Sequence, residues 1–75
     1  MNTKDIRKMT DEEILDAIED RKEAMFNFRF QEASGQLEDT NMPRRTRREI
    51  AQFKTVLRER ELAAALLRQE GGDNG

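Results

Sequence analysis

The sequence predicts an all-α protein: an antiparallel two-helix hairpin of long helices, with a short N-terminal helical turn and a disordered C-terminal tail. Three observations predict it. Thr10-Asp11-Glu12-Glu13 is a helix-start signature followed by apolar residues at helical spacing. Ser34-Gly35 ends that pattern, and no proline or glycine interrupts it earlier. A second helical stripe then starts at Pro43 and runs to about Leu67. The 75 residues make one small domain, expected over 1–68, with 69–75 as the tail. A core of this size rarely contributes more than ~3–5 kcal/mol unaided, and without cysteine there is no disulfide to help it.

Lys4 to Lys8 is expected to form the short helical turn. In the first long helix, expected over 11–35, Thr10 is the N-cap and Glu13 reaches back to it. Asp11, Glu12 and Glu13 suit the positive end of the helix dipole. Ile14, Ile18, Met25 and Phe28 share one face, with Arg21 and Glu32 at its edges. At 1.5 Å per residue the helix is roughly 36 Å long. Phe26, Phe30, Ala33 and Leu37 form a second apolar line. Phe26 is expected in a core that widens near the bend, and Phe30 to face a partner. Gly35 can stop the helix in a left-handed conformation. Thr40 or Asn41 can cap the next helix, expected over 43–67, with Pro43 in its first turn. Its apolar stripe is Ile50, Phe53, Leu57 and Ala64, with Leu62 and Leu66 off the line. Joined by a short loop, the two helices must be antiparallel, with one narrow seam between them.

Charge is segregated along the chain. From Asp11 to Glu23 there are seven acids and two bases; from Thr40 to Arg58 there are six bases and one acid. The formal net charge of −2 conceals this dipole. Arg44, Arg47, Arg48, Ala51, Lys54, Thr55 and Arg58 are linked by steps of three and four, on a flank distinct from the Ile50-Phe53-Leu57 seam. Arg45 completes a run in which four of the five residues from Arg44 to Arg48 are arginine. The small residues Ala51 and Thr55 between the cations let something negative approach closely. Guanidinium groups match phosphate oxygens bidentately, which points to a phosphate backbone. Arg29, near the bend of the first helix, can join this surface.

Enzyme chemistry has little to work with. Histidine, cysteine and tyrosine are absent, so Ser34 has no imidazole base and zinc lacks its usual ligands. Carboxylate pairs such as Glu12/Asp16 and Asp16/Asp20 are expected to be solvated. No cofactor and no metal is expected. No apolar run approaches the roughly 18 residues of a membrane span. The N-terminal stretch lacks the apolar core of a signal peptide, and the missing cysteines fit the cytoplasm.

Phe26-Asn-Phe-Arg-Phe-Gln-Glu-Ala-Ser-Gly-Gln-Leu37 and Arg47-Arg48-Glu-Ile-Ala-Gln-Phe-Lys-Thr-Val-Leu-Arg-Glu-Arg-Glu61 carry a specific pattern. It is a Phe-Asn-x-Arg-x-Gln run, a Ser/Thr-Gly-Gln break, then Arg-Arg-(Asp/Glu)-Ile-Ala and Lys-Thr-Val-Leu. In this order the chain closely resembles the family of bacterial large-subunit ribosomal protein number 29, from about Thr3 to Leu62. The resemblance implies a helical hairpin on the large-subunit (23S) ribosomal RNA near the exit of the nascent-peptide tunnel. It implies large-subunit protein number 23 as a neighbour, proximity to nascent-chain chaperones and targeting factors, and no catalysis. Matched position by position, the implied rRNA-binding residues are Arg29, Gln31, Gly35, Gln36, Arg47, Arg48, Lys54 and Thr55. Arg44, Arg45 and Arg58 join them from the charge pattern alone. The loop Glu38-Asp39-Thr40-Asn41-Met42 departs from the commonest family loop. The acidic first helix and the extension after Leu62 are less basic than such a protein leads one to expect, so those faces are expected to look to solvent.

The alternative is a non-ribosomal helical hairpin that binds a protein partner, with arginines pairing acids across the interface. A DNA-binding helix-turn-helix needs a more compact turn, and an amphipathic membrane binder broader apolar stripes. The isolated chain is expected to be a monomer with no membrane partner.

Overall fold

In the computed structural model, which describes residues 2–73, three helices run α1 (Thr3–Ile6), α2 (Asp11–Ala33) and α3 (Met42–Asp73). The long helices α2 and α3 pack as the expected hairpin, and α1 packs on α3. The result is a rod of 61 × 20 × 17 Å.

The start of α2 follows from its sequence. The Thr10 hydroxyl accepts the Glu13 N–H at 3.1 Å, and the Glu13 carboxylate accepts the Thr10 N–H at 3.3 Å, which completes a capping box. Its end is equally legible. Gly35 has φ +73°, the Gln36 N–H donates to the Gln31 carbonyl at 2.7 Å, and the Gly35 N–H to the Glu32 carbonyl at 3.2 Å. These two bonds are a Schellman stop. A Cβ on Gly35 would meet nothing within 4 Å, so backbone conformation, not space, calls for glycine there.

The beginning of α3 is set by Asp39. Its carboxylate accepts the Asn41 N–H at 2.9 Å and turns the loop, and Asn41 then stands at the N-cap position, its carbonyl accepting the Arg45 N–H at 3.0 Å. Pro43 sits in the first turn as expected. At its other end α3 passes the expected stop at 67 and continues to Asp73. The run Glu61-Leu-Ala-Ala-Ala-Leu-Leu-Arg-Gln-Glu70 consists of strong helix formers with no stop signal. Of the segment expected as a tail, residues 74 and 75 lie outside the described residues.

The core is Ile6, Ile14, Ile18, Phe53 and Val56, with Met9, Ala17, Ile50 and Leu57 half-buried against it. On α2 the seam runs Ile14-Ile18-Arg21-Met25-Phe28, as the periodicity predicts, though Met25 and Phe28 are only half-buried. On α3 the expected line holds at Ile50, Phe53 and Leu57, and the buried strip widens to one side of it. Thr46, Glu49, Val56 and Arg60, at steps of three and four with Phe53, are the added buried and half-buried members. Ala64 is exposed, contrary to expectation. Polar residues belong to this seam because each charged one has a partner across it. Arg21 Nε donates to the Glu49 carboxylate at 3.0 Å, and its guanidinium lies 5.5 Å from the centre of the Phe53 ring. Arg60 donates to the Met9 carbonyl at 2.8 Å and the Arg7 carbonyl at 3.2 Å, and pairs with Asp11.

Candidate nucleic-acid interface

Arg44, Arg47, Arg48, Ala51, Lys54, Thr55 and Arg58 are all exposed, on the side of α3 opposite Thr46 and Phe53. The helix forces this arrangement. With 3.6 residues per turn, burying Phe53 and Val56 turns every member of the basic series outward.

Ion pairing divides the positive charges into two populations. Arg7 pairs with Glu59, Arg21 with Glu49, Lys22 with Glu19, Arg45 with Asp39 and Arg60 with Asp11. Among the described residues, Arg29, Arg44, Arg47, Arg48, Lys54 and Arg58 have no carboxylate within ion-pair distance. Arg45 thus differs from the other predicted cations, since Asp39 already claims its guanidinium. Lys4, Lys8 and Arg68 likewise have no acidic partner among the described residues, but they stand outside the series.

Arg29 reaches this surface from α2. It lines one depression with Lys22, Met25, Phe26, Arg47 and Ile50. Gly35 lies in a second with Glu32, Leu37, Thr40, Pro43, Arg44 and Arg47. The bend therefore gathers Arg29, Gly35, Arg44 and Arg47, as the sequence reading expects. Gln31 and Gln36 go elsewhere, into a depression shared with Phe28, Leu37, Glu38, Asp39 and Met42, which contains acids and no arginine. Thr55 donates its hydroxyl proton to the Ala51 carbonyl at 2.8 Å, so its oxygen faces outward mainly as an acceptor. Along the helix Ala51 and Thr55 are small exposed residues between Arg47 and Arg48 on one side and Arg58 on the other.

Two expectations fail here. Phe26 is 59% exposed and does not join the core, because the seam passes through Met25 and Phe28 on another face of α2. Arg21, expected at a stripe edge, is a half-buried seam residue. Periodicity also gave no warning of Arg60, whose partners are backbone carbonyls of the α1–α2 link. Phe30 is 63% exposed, as a partner-facing residue must be.

The surface is a row of unpaired guanidinium and ammonium groups on one rigid helix. It can bind phosphates in register without reading a base sequence. Compared with known protein families, residues 4–60 match the family described as Ribosomal L29 protein. The chain belongs to the Ribosomal L29 family. Large ribosomal subunit protein uL29 of Geobacillus stearothermophilus is 53% identical over 64 residues, which span 85% of this chain and 97% of that relative. The protein of the same name from Mycobacterium leprae (strain TN) is 48% identical over 71 residues, 95% of this chain and 86% of the relative. That of Fervidobacterium nodosum is 45% identical over 62 residues, 83% and 94% respectively. The L29 match spans α1, α2, the bend and α3 as far as Arg60, and so contains every predicted rRNA-binding residue.

Proposed function

We propose that this L29-family chain is a structural constituent of the large subunit of the cytoplasmic ribosome. It binds large-subunit rRNA through Arg29, Arg44, Arg47, Arg48, Lys54 and Arg58, near the exit of the nascent-peptide tunnel. The observation that carries the reading is the segregation of ion pairs. Cations on the seam are matched to acids, whereas among the described residues Arg29, Arg44, Arg47, Arg48, Lys54 and Arg58 on the outward flank have no acidic partner. The acids of α2 keep the other side off a polyanion. Large-subunit protein number 23 is the proposed protein neighbour, with chaperones or targeting factors as visitors. The role is positional and calls for no reaction. RNA that binds only the folded hairpin also stabilises it by mass action.

The test is binding to protein-free large-subunit rRNA across a salt series. Arg47→Gln with Arg48→Gln keeps hydrogen-bonding reach and removes two charges. This double variant is expected to stay helical, bind more weakly, and show a shallower fall of affinity with salt, because fewer counterions are released. Lys4→Gln with Lys8→Gln is the matched control and should change little. Arg21 is unsuitable for that purpose because it stacks on Phe53 and pairs with Glu49. Equal binding by the two double variants overturns the reading of the flank.

A further inference from the structure

We propose that Phe26 and Phe30 form a stacking platform for an unpaired RNA base, an inference that rests on the RNA-binding reading of the flank. The two rings meet edge to face, with centroids 5.0 Å apart and planes at 75°. They are 59% and 63% exposed, so the pair gains little from its own fold. An edge-to-face pair cannot cover both faces of either ring, and a flat partner can lie on what remains open.

The surroundings select the partner. Phe26 lies in one depression with Arg29 and Arg47, which have no carboxylate partner among the described residues, and with Lys22, which is paired to Glu19. Met25 and Ile50 complete that wall, and no acid lines it. An apolar surface bordered by unmatched cations suits a ligand that is flat and apolar in one part and anionic in the next. A nucleotide is that ligand: the base stacks on the ring and its phosphate meets the guanidinium groups. Bases within a paired A-form helix are already stacked, so the platform takes one from a bulge, loop or strand end. Stacking of this kind tolerates any base, because every base has a π-face. The aromatic pair therefore anchors α2 while the flank of α3 tracks the backbone.

The experiment uses the full chain and protein-free large-subunit rRNA, with affinity measured across a salt series. Phe26→Leu with Phe30→Leu keeps the apolar volume and removes the rings. It is expected to weaken binding about tenfold with an unchanged salt slope. Phe30→Trp, combined with wild-type Phe26, should bind as tightly as wild type or tighter. Circular dichroism should show both variants as helical as the parent; the single Phe30→Leu, with a smaller expected loss, serves if the double variant does not fold. Wild-type affinity in the leucine variants overturns the platform. So does normal RNA binding combined with failure to enter large subunits, which would mean that a protein neighbour covers the rings. The arginine variants decide the flank separately: a shallower slope on losing Arg47 and Arg48, with no effect of the phenylalanines, leaves RNA binding intact and removes the stacking claim alone.

Discussion

The two ends of the hairpin are built on opposite plans. At the end closed by α1, apolar side chains are buried and Arg7 and Arg60 are matched to Glu59 and Asp11. Ile6, Ile14, Phe53 and Val56 are almost wholly inaccessible, and Arg60 ties α3 to two carbonyls before α2. At the bend, Phe26 and Phe30 stand in solvent and Arg29, Arg44, Arg47 and Arg48 are unmatched. The contrast teaches where each kind of free energy resides. The α1 end keeps the isolated chain folded, and the bend carries the groups of the proposed interface. Substitutions at the two ends should therefore separate stability from binding.

The largest effect is expected from Phe53→Ala. Removing a fully buried phenylalanine costs about 3–5 kcal/mol, which a core of this size cannot absorb. Circular dichroism should find the isolated variant largely unfolded at room temperature. A cooperative melt close to that of the parent would break the contrast at its stable end. Next is Arg60→Ala, which removes charged hydrogen bonds to two carbonyls in a partly exposed setting and should cost about 1–3 kcal/mol. Arg60→Lys should recover only part of this, since an ammonium lacks the planar fork. Gly35→Ala should cost about 1–2 kcal/mol, entirely through the positive φ, because there is room for the methyl group. Gly35→Asn should cost less, a difference that chemical denaturation can resolve. The smallest change is expected from Phe30→Ala, within ~0.5 kcal/mol of the parent, as for other exposed positions. A loss comparable to that of Phe53→Ala would show that the bend also holds the fold together.

The parts of the fold legible in the sequence were those written in local chemistry. Thr10 with Glu13, Gly35 and Pro43 act within a few residues of themselves, so their roles do not depend on what packs against them. The α2 seam was also legible, because its positions are mostly apolar. The α3 seam was legible only at Ile50, Phe53 and Leu57, because Thr46, Glu49 and Arg60 occupy places that a hydrophobicity pattern reserves for leucine. Their partners lie on other elements, and no single-helix pattern can display a partner. Ile6 was missed as a core residue for a related reason: α1 has four residues, too few to show a period. The exposed flank was legible because charge needs no partner to be seen. What the sequence could not reveal is that Arg45 is already matched by Asp39, or that Gln31 and Gln36 line a different depression from Arg29, Arg44 and Arg47.

The segregation of charge has a kinetic consequence. At physiological ionic strength the field of an exposed charge decays over roughly 8 Å, less than half the 20 Å breadth of this rod. A polyanion meeting the molecule therefore does not experience its net charge of −2. It experiences whichever long side is nearer. Presented with α2 the two repel, and presented with α3 they attract, so rotational diffusion during an encounter ends with the basic side inward. The rod orients itself before any contact forms. Productive collisions should be most sensitive to added salt in their rate of association, the quantity that long-range steering controls. In very dilute salt, where the decay length exceeds the width of the rod, the acids of α2 reach across and that orienting advantage shrinks.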